Sequence, residues 1–205
     1  MKNKTYLDYA ATTPIDPKVL KGMMPYLRKD FGNPSSIYYF GQRAMAALDQ
    51  ARKEVSDFLG SEMAEVIFTG SATEANNLAI FGLVKKGDHI ITSQIEHHAV
   101  LRPCQQLEKQ GVQVTYLPVD KDGLVKIADL EKAIKPNTVL VSIMYANNEI
   151  GTVQPIAAIG KFLKLQKNKI YFQTDAVQAA NYLDCQVNNL GQNSKACPQN
   201  MDNEE

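Results

Sequence analysis

The sequence predicts an α/β fold class: a mostly parallel sheet covered by helices on both faces. Two observations carry this. Helical and extended patterns alternate from about residue 64 to residue 174, and the run 138–144 (TVLVSIM) is almost wholly apolar. A strand covered on both faces reads that way, because neither side meets water. At 205 residues the chain is long enough for one domain with a sizeable core.

In order, 6–14 (YLDYAATTP) mixes aromatics, small residues and a closing proline, so residues 1–15 are expected to form an extended arm. Pro17 suits a helix start, and Leu20, Met23, Met24 and Leu27 give that helix an apolar side. Pro25 should kink it or end it early. Residues 31–36 (FGNPSS) form a loop. The next helix carries Ala44, Ala47, Leu48, Ala51, Val55, Phe58 and Leu59 at three-and-four spacing and stops at Gly60.

Residues 64–69 read as a short strand, Gly70 and Ser71 as a tight turn, and 73 to about 84 as a helix. A strand at 89–93 follows, then a helix over 99–109 closed by Gly111, with Pro103 early enough to be tolerated. Strands are expected at 112–119, 138–144 and 169–174. Helices are expected at 127–134, before Pro136, and from Pro155 to about 167. Residues 16–187 thus form one α/β domain. From Asn188 only Leu190, Ala196, Cys197 and Met201 are apolar, so 188–205 is expected to be a disordered polar tail.

Lys plus Arg and Asp plus Glu both total 22, so nothing electrostatic favours nucleic acid or an anionic membrane. No run approaches the ~20 apolar residues of a membrane helix, and MKNKTYLDYAATTP lacks the apolar core of a signal peptide. Cys104, Cys185 and Cys197 show no CxxC spacing, which favours neither a disulfide framework nor zinc. A cytoplasmic location is expected.

Ligands of parallel α/β sheets bind beyond the carboxyl ends of the strands. Four turns there carry polar side chains: Gly70–Thr73; Glu96, His97 and His98; Asn147, Asn148 and Glu149; and Asp175 with Gln178. The first, inside IFTGSATEANN, breaks from strand to helix at glycine. Backbone N–H groups and the positive end of the helix dipole there form a socket for phosphate. Blander readings compete. Such turns are often only caps, Asp175 suits an N-cap, His97 a loop, and Asn147-Asn148 an ordinary turn. Glu96, His97 and His98 are adjacent on an extended segment, so they point apart, and no HExxH spacing exists; no metal is expected.

LDYAATTPID, FGNPSS, FTGSATEANN, IEHHAV, NNEIGTVQPI and TDAVQ, in this order across roughly residues 5–191, resemble the cysteine desulfurases. These are pyridoxal 5'-phosphate (PLP) enzymes with the large-domain architecture of the aminotransferase fold. The resemblance implies that Ala72 and Thr73 hold the phosphate and that His97 stacks on the pyridine ring. It implies too that Asp175 pairs with the ring nitrogen, Gln178 bonds the phenolic oxygen and Asn148 lies near that oxygen and the substrate. One departure stands out. The turn reads Gly-Ser-Ala-Thr where the family commonly has Ser-Gly-Ala-Thr, which would move a positive-φ position by one residue.

The resemblance further implies L-cysteine as substrate, alanine and a persulfide as products, delivery to iron–sulfur or thio-cofactor assembly proteins, and a homodimer. It fades after NYLDCQVNNLG. The Ser-x-His-Lys turn that carries the family's Schiff-base lysine occurs nowhere in the sequence, nor does the loop of the sulfur-accepting cysteine. Lys195 and Cys197 are not expected to replace them, since catalysis needs a held geometry. No catalytic residue is therefore assigned, and the chain is expected to be truncated and inactive. A non-catalytic partner of a full-length relative and a non-functional truncation product remain alternatives, as does selenocysteine as substrate.

Overall fold

The computed structural model describes residues 4–191, which fall into two compact units divided between Asp57 and Phe58. The expected Lys195 and Cys197, and most of the expected tail, lie outside the described residues.

In the first unit, Asp16 caps helix α1 (Pro17–Arg28) by accepting from Lys18 N at 2.7 Å, with Pro17 at the start. The helix passes through Pro25 and ends three residues later, so the proline does not stop it early. Helix α2 (Tyr39–Leu59) begins five residues before the apolar spacing does. Its Arg43 forks onto Asp30, with Nη2 and Nε each 2.9 Å from a carboxylate oxygen.

The second unit is a four-stranded, wholly parallel sheet with helices against it. Its elements are α3 (Ala72–Leu83), β1 (His89–Ser93), α4 (His98–Glu108), β2 (Gln113–Leu117), α5 (Ile127–Ala133), β3 (Thr138–Ser142), α6 (Ile156–Lys164) and β4 (Tyr171–Gln173). Strand order is β2-β1-β3-β4. The expected α/β class therefore holds, with strands one or two residues shorter than expected at five of their eight ends. Alternating residues feed two cores. Ile90 and Leu140 pack with Ile80 of α3 and Val100, Cys104 and Leu107 of α4. Ile91 and Val141 pack with Leu130, Ile156, Ile159 and Leu163 on the other face. All five residues of β1 are buried, as two covered faces require. Removing one methyl there, as in Ile91→Val, should cost about 1 kcal/mol, read as a lower urea midpoint.

Residues 64–69 are not a strand. Met63–Glu65 forms a 3-10 turn, and residues 66–69 belong to none of the four described strands, with Ile67 69% exposed. Apolar β-formers become a strand only beside a neighbour, and none of the four strands pairs with this segment. Gly111 closes α4 at φ +90, a conformation that side chains avoid. The expected tail starts too early. Leu190 is buried, and the backbone of Gly191 lies so close to Gly160 that a Cβ on Gly160 would meet Leu190 O at 2.3 Å.

The strand order locates the functional end. The chain steps from β1 outward to β2, then crosses back to place β3 on the other side of β1. The crevice between the carboxyl ends of β1 and β3 is thus the switch point at which open α/β sheets bind ligands.

Candidate functional site

At the start of α3, Ser71 is the N-cap. Its Oγ accepts from Glu74 N at 3.2 Å, and its carbonyl accepts from Ala75 N. Gly70 N donates to Glu74 Oε2 at 2.7 Å. The backbone N–H groups of Ala72 and Thr73 are left without an acceptor among the described residues, on an exposed helix start of positive potential. No residue from Thr69 to Thr73 has positive φ, so the Gly-Ser order strains nothing here.

His97 caps α4. Its Nδ1 accepts from Ala99 N at 3.1 Å, which leaves the ring proton on Nε2. The exposed ring lines two clefts. One, of about 440 Å³, also has Thr73, Asn77 and Arg102 in its wall. The other, of about 320 Å³, lies at the switch point and is walled by Glu96, Asn147, Asn148 and Glu149. Asn147 is structural: its Oδ1 accepts from Glu149 N and Ile150 N, and its Nδ2 donates to Ile95 O. That turn presents the half-buried Asn148 to the cleft.

Asp175 follows β4 and is half-buried. Its Oδ1 accepts from Val177 N at 3.1 Å and its Oδ2 from Asn76 Nδ2 at 2.9 Å. Asn76 lies five residues after the Ser71 cap, about 7 Å along the α3 axis. The anion socket and this carboxylate are therefore tied to one helix. Gln178 lies half-buried in the turn three residues beyond Asp175.

The structure thus brings Thr73 to His97, and His97 to Asn148, across shared clefts, and fastens Asp175 to α3. Ala72 stands beside Thr73 in the socket. Sequence reasoning overlooked Asn76 and Gln173. An asparagine four residues before the buried Ile80 is a polar group on the apolar face of its helix, and that spacing was the available signal.

Glu96 was named only as a turn residue, yet it is 5% exposed. Ser93 Oγ donates to its Oε1 at 2.6 Å and Met144 N at 2.9 Å, while Oε2 is buried with no partner. Burial pushes its carboxyl up to about 7, against the two hydrogen bonds and aided by the Asp175 charge. Neither described cysteine is poised as a nucleophile. Both are buried, and burial pushes the Cys104 thiol up to about 12.

A helix start whose first N–H groups have no acceptor among the described residues, with a carboxylate hydrogen-bonded to that helix, is an arrangement that can receive an anion carrying a basic part. The fold class is the parallel-sheet α/β architecture of the aminotransferase-type folds. Residues 5–193 match the aminotransferase class-V family model, and the chain belongs to that family. It is 50% identical over 195 residues to the cysteine desulfurase IscS of Dictyoglomus turgidum, covering 93% of this chain and 49% of that protein. A solved structure of SspA in complex with cysteine superposes with a TM-score of 0.87 at 43% identity, covering 92% of this chain and 55% of that one. A NifS-like protein gives 0.89 at 36% identity, over 93% and 54%. The chain spans about half the length of the curated relatives it matches. Among the described residues no helix is long and apolar enough to cross a membrane.

Proposed function

We propose that this chain is the PLP-binding part of a cysteine desulfurase. The observation that carries the reading is the pair of N–H groups at Ala72 and Thr73 that have no acceptor among the described residues, on the same helix that holds the Asp175 carboxylate through Asn76. These residues fit the cofactor. Ala72 and Thr73 would hold its phosphate, His97 would cover a ring face, and Asp175 would keep the ring nitrogen protonated. Asn148 and Gln178 would bond the phenolic oxygen. When bound, PLP supplies an electron-withdrawing ring that stabilises negative charge developing on a carbon joined to it.

What this chain's residues do is bind and orient. Asp175 would hold a proton at the ring nitrogen, and His97 would exclude water from one ring face. Proton movement at the substrate carbon needs a base beyond those in place here, because Ser-x-His-Lys is absent from the 205 residues. L-cysteine as substrate, persulfide sulfur for iron–sulfur or thio-cofactor assembly, a homodimer and a cytoplasmic location are proposals that rest on the relatives and the sequence. These 205 residues alone are expected to turn over no cysteine. The alternative of a non-catalytic, PLP-binding partner of a longer relative shares the same site.

An absorbance titration tests the reading. PLP should saturate the chain reversibly, and pyridoxal without its phosphate should bind at least about tenfold more weakly, as loss of charge-assisted hydrogen bonds demands. Equal binding of the two would remove the socket from the argument.

A further inference from the structure

A row of buried polar groups runs from β1 to the Asp175 carboxylate. Thr92, Ser142 and Gln173 stand opposite one another on β1, β3 and β4, and share the sheet face that packs on α3. Gln173 Nε2 donates to Asn76 Oδ1 at 2.8 Å, and Asn76 Nδ2 donates to Asp175 Oδ2 at 2.9 Å. Gln173 Oε1, Ser142 Oγ and Thr92 Oγ1 are buried with no partner among the described residues.

We propose that Asn76 and Gln173 are positioning residues that fix the direction of this row and so aim the Asp175 carboxylate at a ring nitrogen. The inference rests on the PLP reading above and adds residues to it. An ionised carboxylate only accepts, so Asn76 must turn its NH2 toward Asp175. Its carbonyl oxygen must then receive a donor, and Gln173 supplies one. That choice leaves Gln173 Oε1 buried without a partner among the described residues, on the sheet face that also carries the Ser142 and Thr92 hydroxyls. Every amide in the row therefore has one permitted orientation. With Asn76 on Oδ2 and Val177 N on Oδ1, rotation of the carboxylate about its last bond is stopped. Oδ2 keeps a second lone pair for a ring N–H. Removing Asn76 would free the carboxylate to turn, which matters only to a ligand that reads its direction.

The experiment compares PLP with its 1-deaza analogue, in which C–H replaces the ring nitrogen, by titrating the chain and its Asn76→Ala and Gln173→Leu variants. Both ligands report on the same folded population, so the affinity ratio is independent of how much of a variant folds. The parent chain should prefer PLP by about tenfold or more, as a charge-assisted bond implies. Asn76→Ala should bring the ratio close to one, and Gln173→Leu should lower it about threefold, with affinity for the analogue little changed. A parent chain that does not discriminate would overturn the placement of Asp175 and this proposal with it. A parent chain that discriminates while both variants keep the full ratio would overturn the proposal alone.

Discussion

An Asp175→Ala chain is expected to bind PLP about 10- to 100-fold more weakly than the parent chain, the range for losing a charge-assisted hydrogen bond. Asp175→Asn should lose nearly as much. Its amide can keep the contact with Val177 N, but it carries no charge to hold a proton on the ring nitrogen. The alanine variant also leaves Asn76 Nδ2 without its acceptor, on a side chain that is 6% exposed. Some global destabilisation is therefore expected, and a circular-dichroism melt separates it from the loss of affinity. Absorbance titration at fixed pH is the measurement. Unchanged affinity in both variants would mean that the carboxylate serves only the α3–β4 packing.

How much of this was legible in the sequence depends on what each residue needed from its neighbours. The strand 138–144 was readable because continuous apolarity has one cheap explanation, burial on both faces. The turns after β1, β3 and β4 were readable because a parallel sheet puts its strand ends on one side, whereas the Gly70–Thr73 turn follows no described strand. Residues 66–69 were misread as a strand because extended, apolar sequence does not say whether a segment joins the described sheet, and this one does not. Leu190 was misread because composition averages over a segment, whereas a single leucine can pack where the Gly160 backbone leaves room. The burial of Glu96 could not be seen either. It follows from the order β2-β1-β3-β4, which brings Met144, 48 residues away, to its carboxylate.

Glu96 should in turn set how the stability of the chain depends on pH. Its carboxyl is raised from 4.5 to about 7 in the folded chain, first by burial and then by the Asp175 charge. Between those values the native state binds a proton that the unfolded chain has released. The Glu96 contribution must therefore fall as pH rises through the window from about 4.5 to about 7 and stay low above it, while His89, held neutral down to about 4 by burial, contributes an opposite slope between about 4 and 6.5 that parent and variant share. A shift of that size corresponds to a loss on the order of 3 kcal/mol. Glu96→Gln keeps the shape and an oxygen that can accept from Ser93 Oγ and Met144 N, while removing the charge. Urea unfolding at a series of pH values should show the parent chain losing stability relative to the variant across this window, the His89 slope cancelling in the difference. The variant should be the more stable above pH 7, and the two should be nearly equal below pH 4.5. A parent chain whose stability rises across this window in step with the variant would place the Glu96 proton elsewhere. The same measurement with PLP present bears on the site, because the charge of Asp175 is one of the forces that raises Glu96. A cationic ring nitrogen paired with Asp175 would offset that charge and move the descending part of the curve to lower pH.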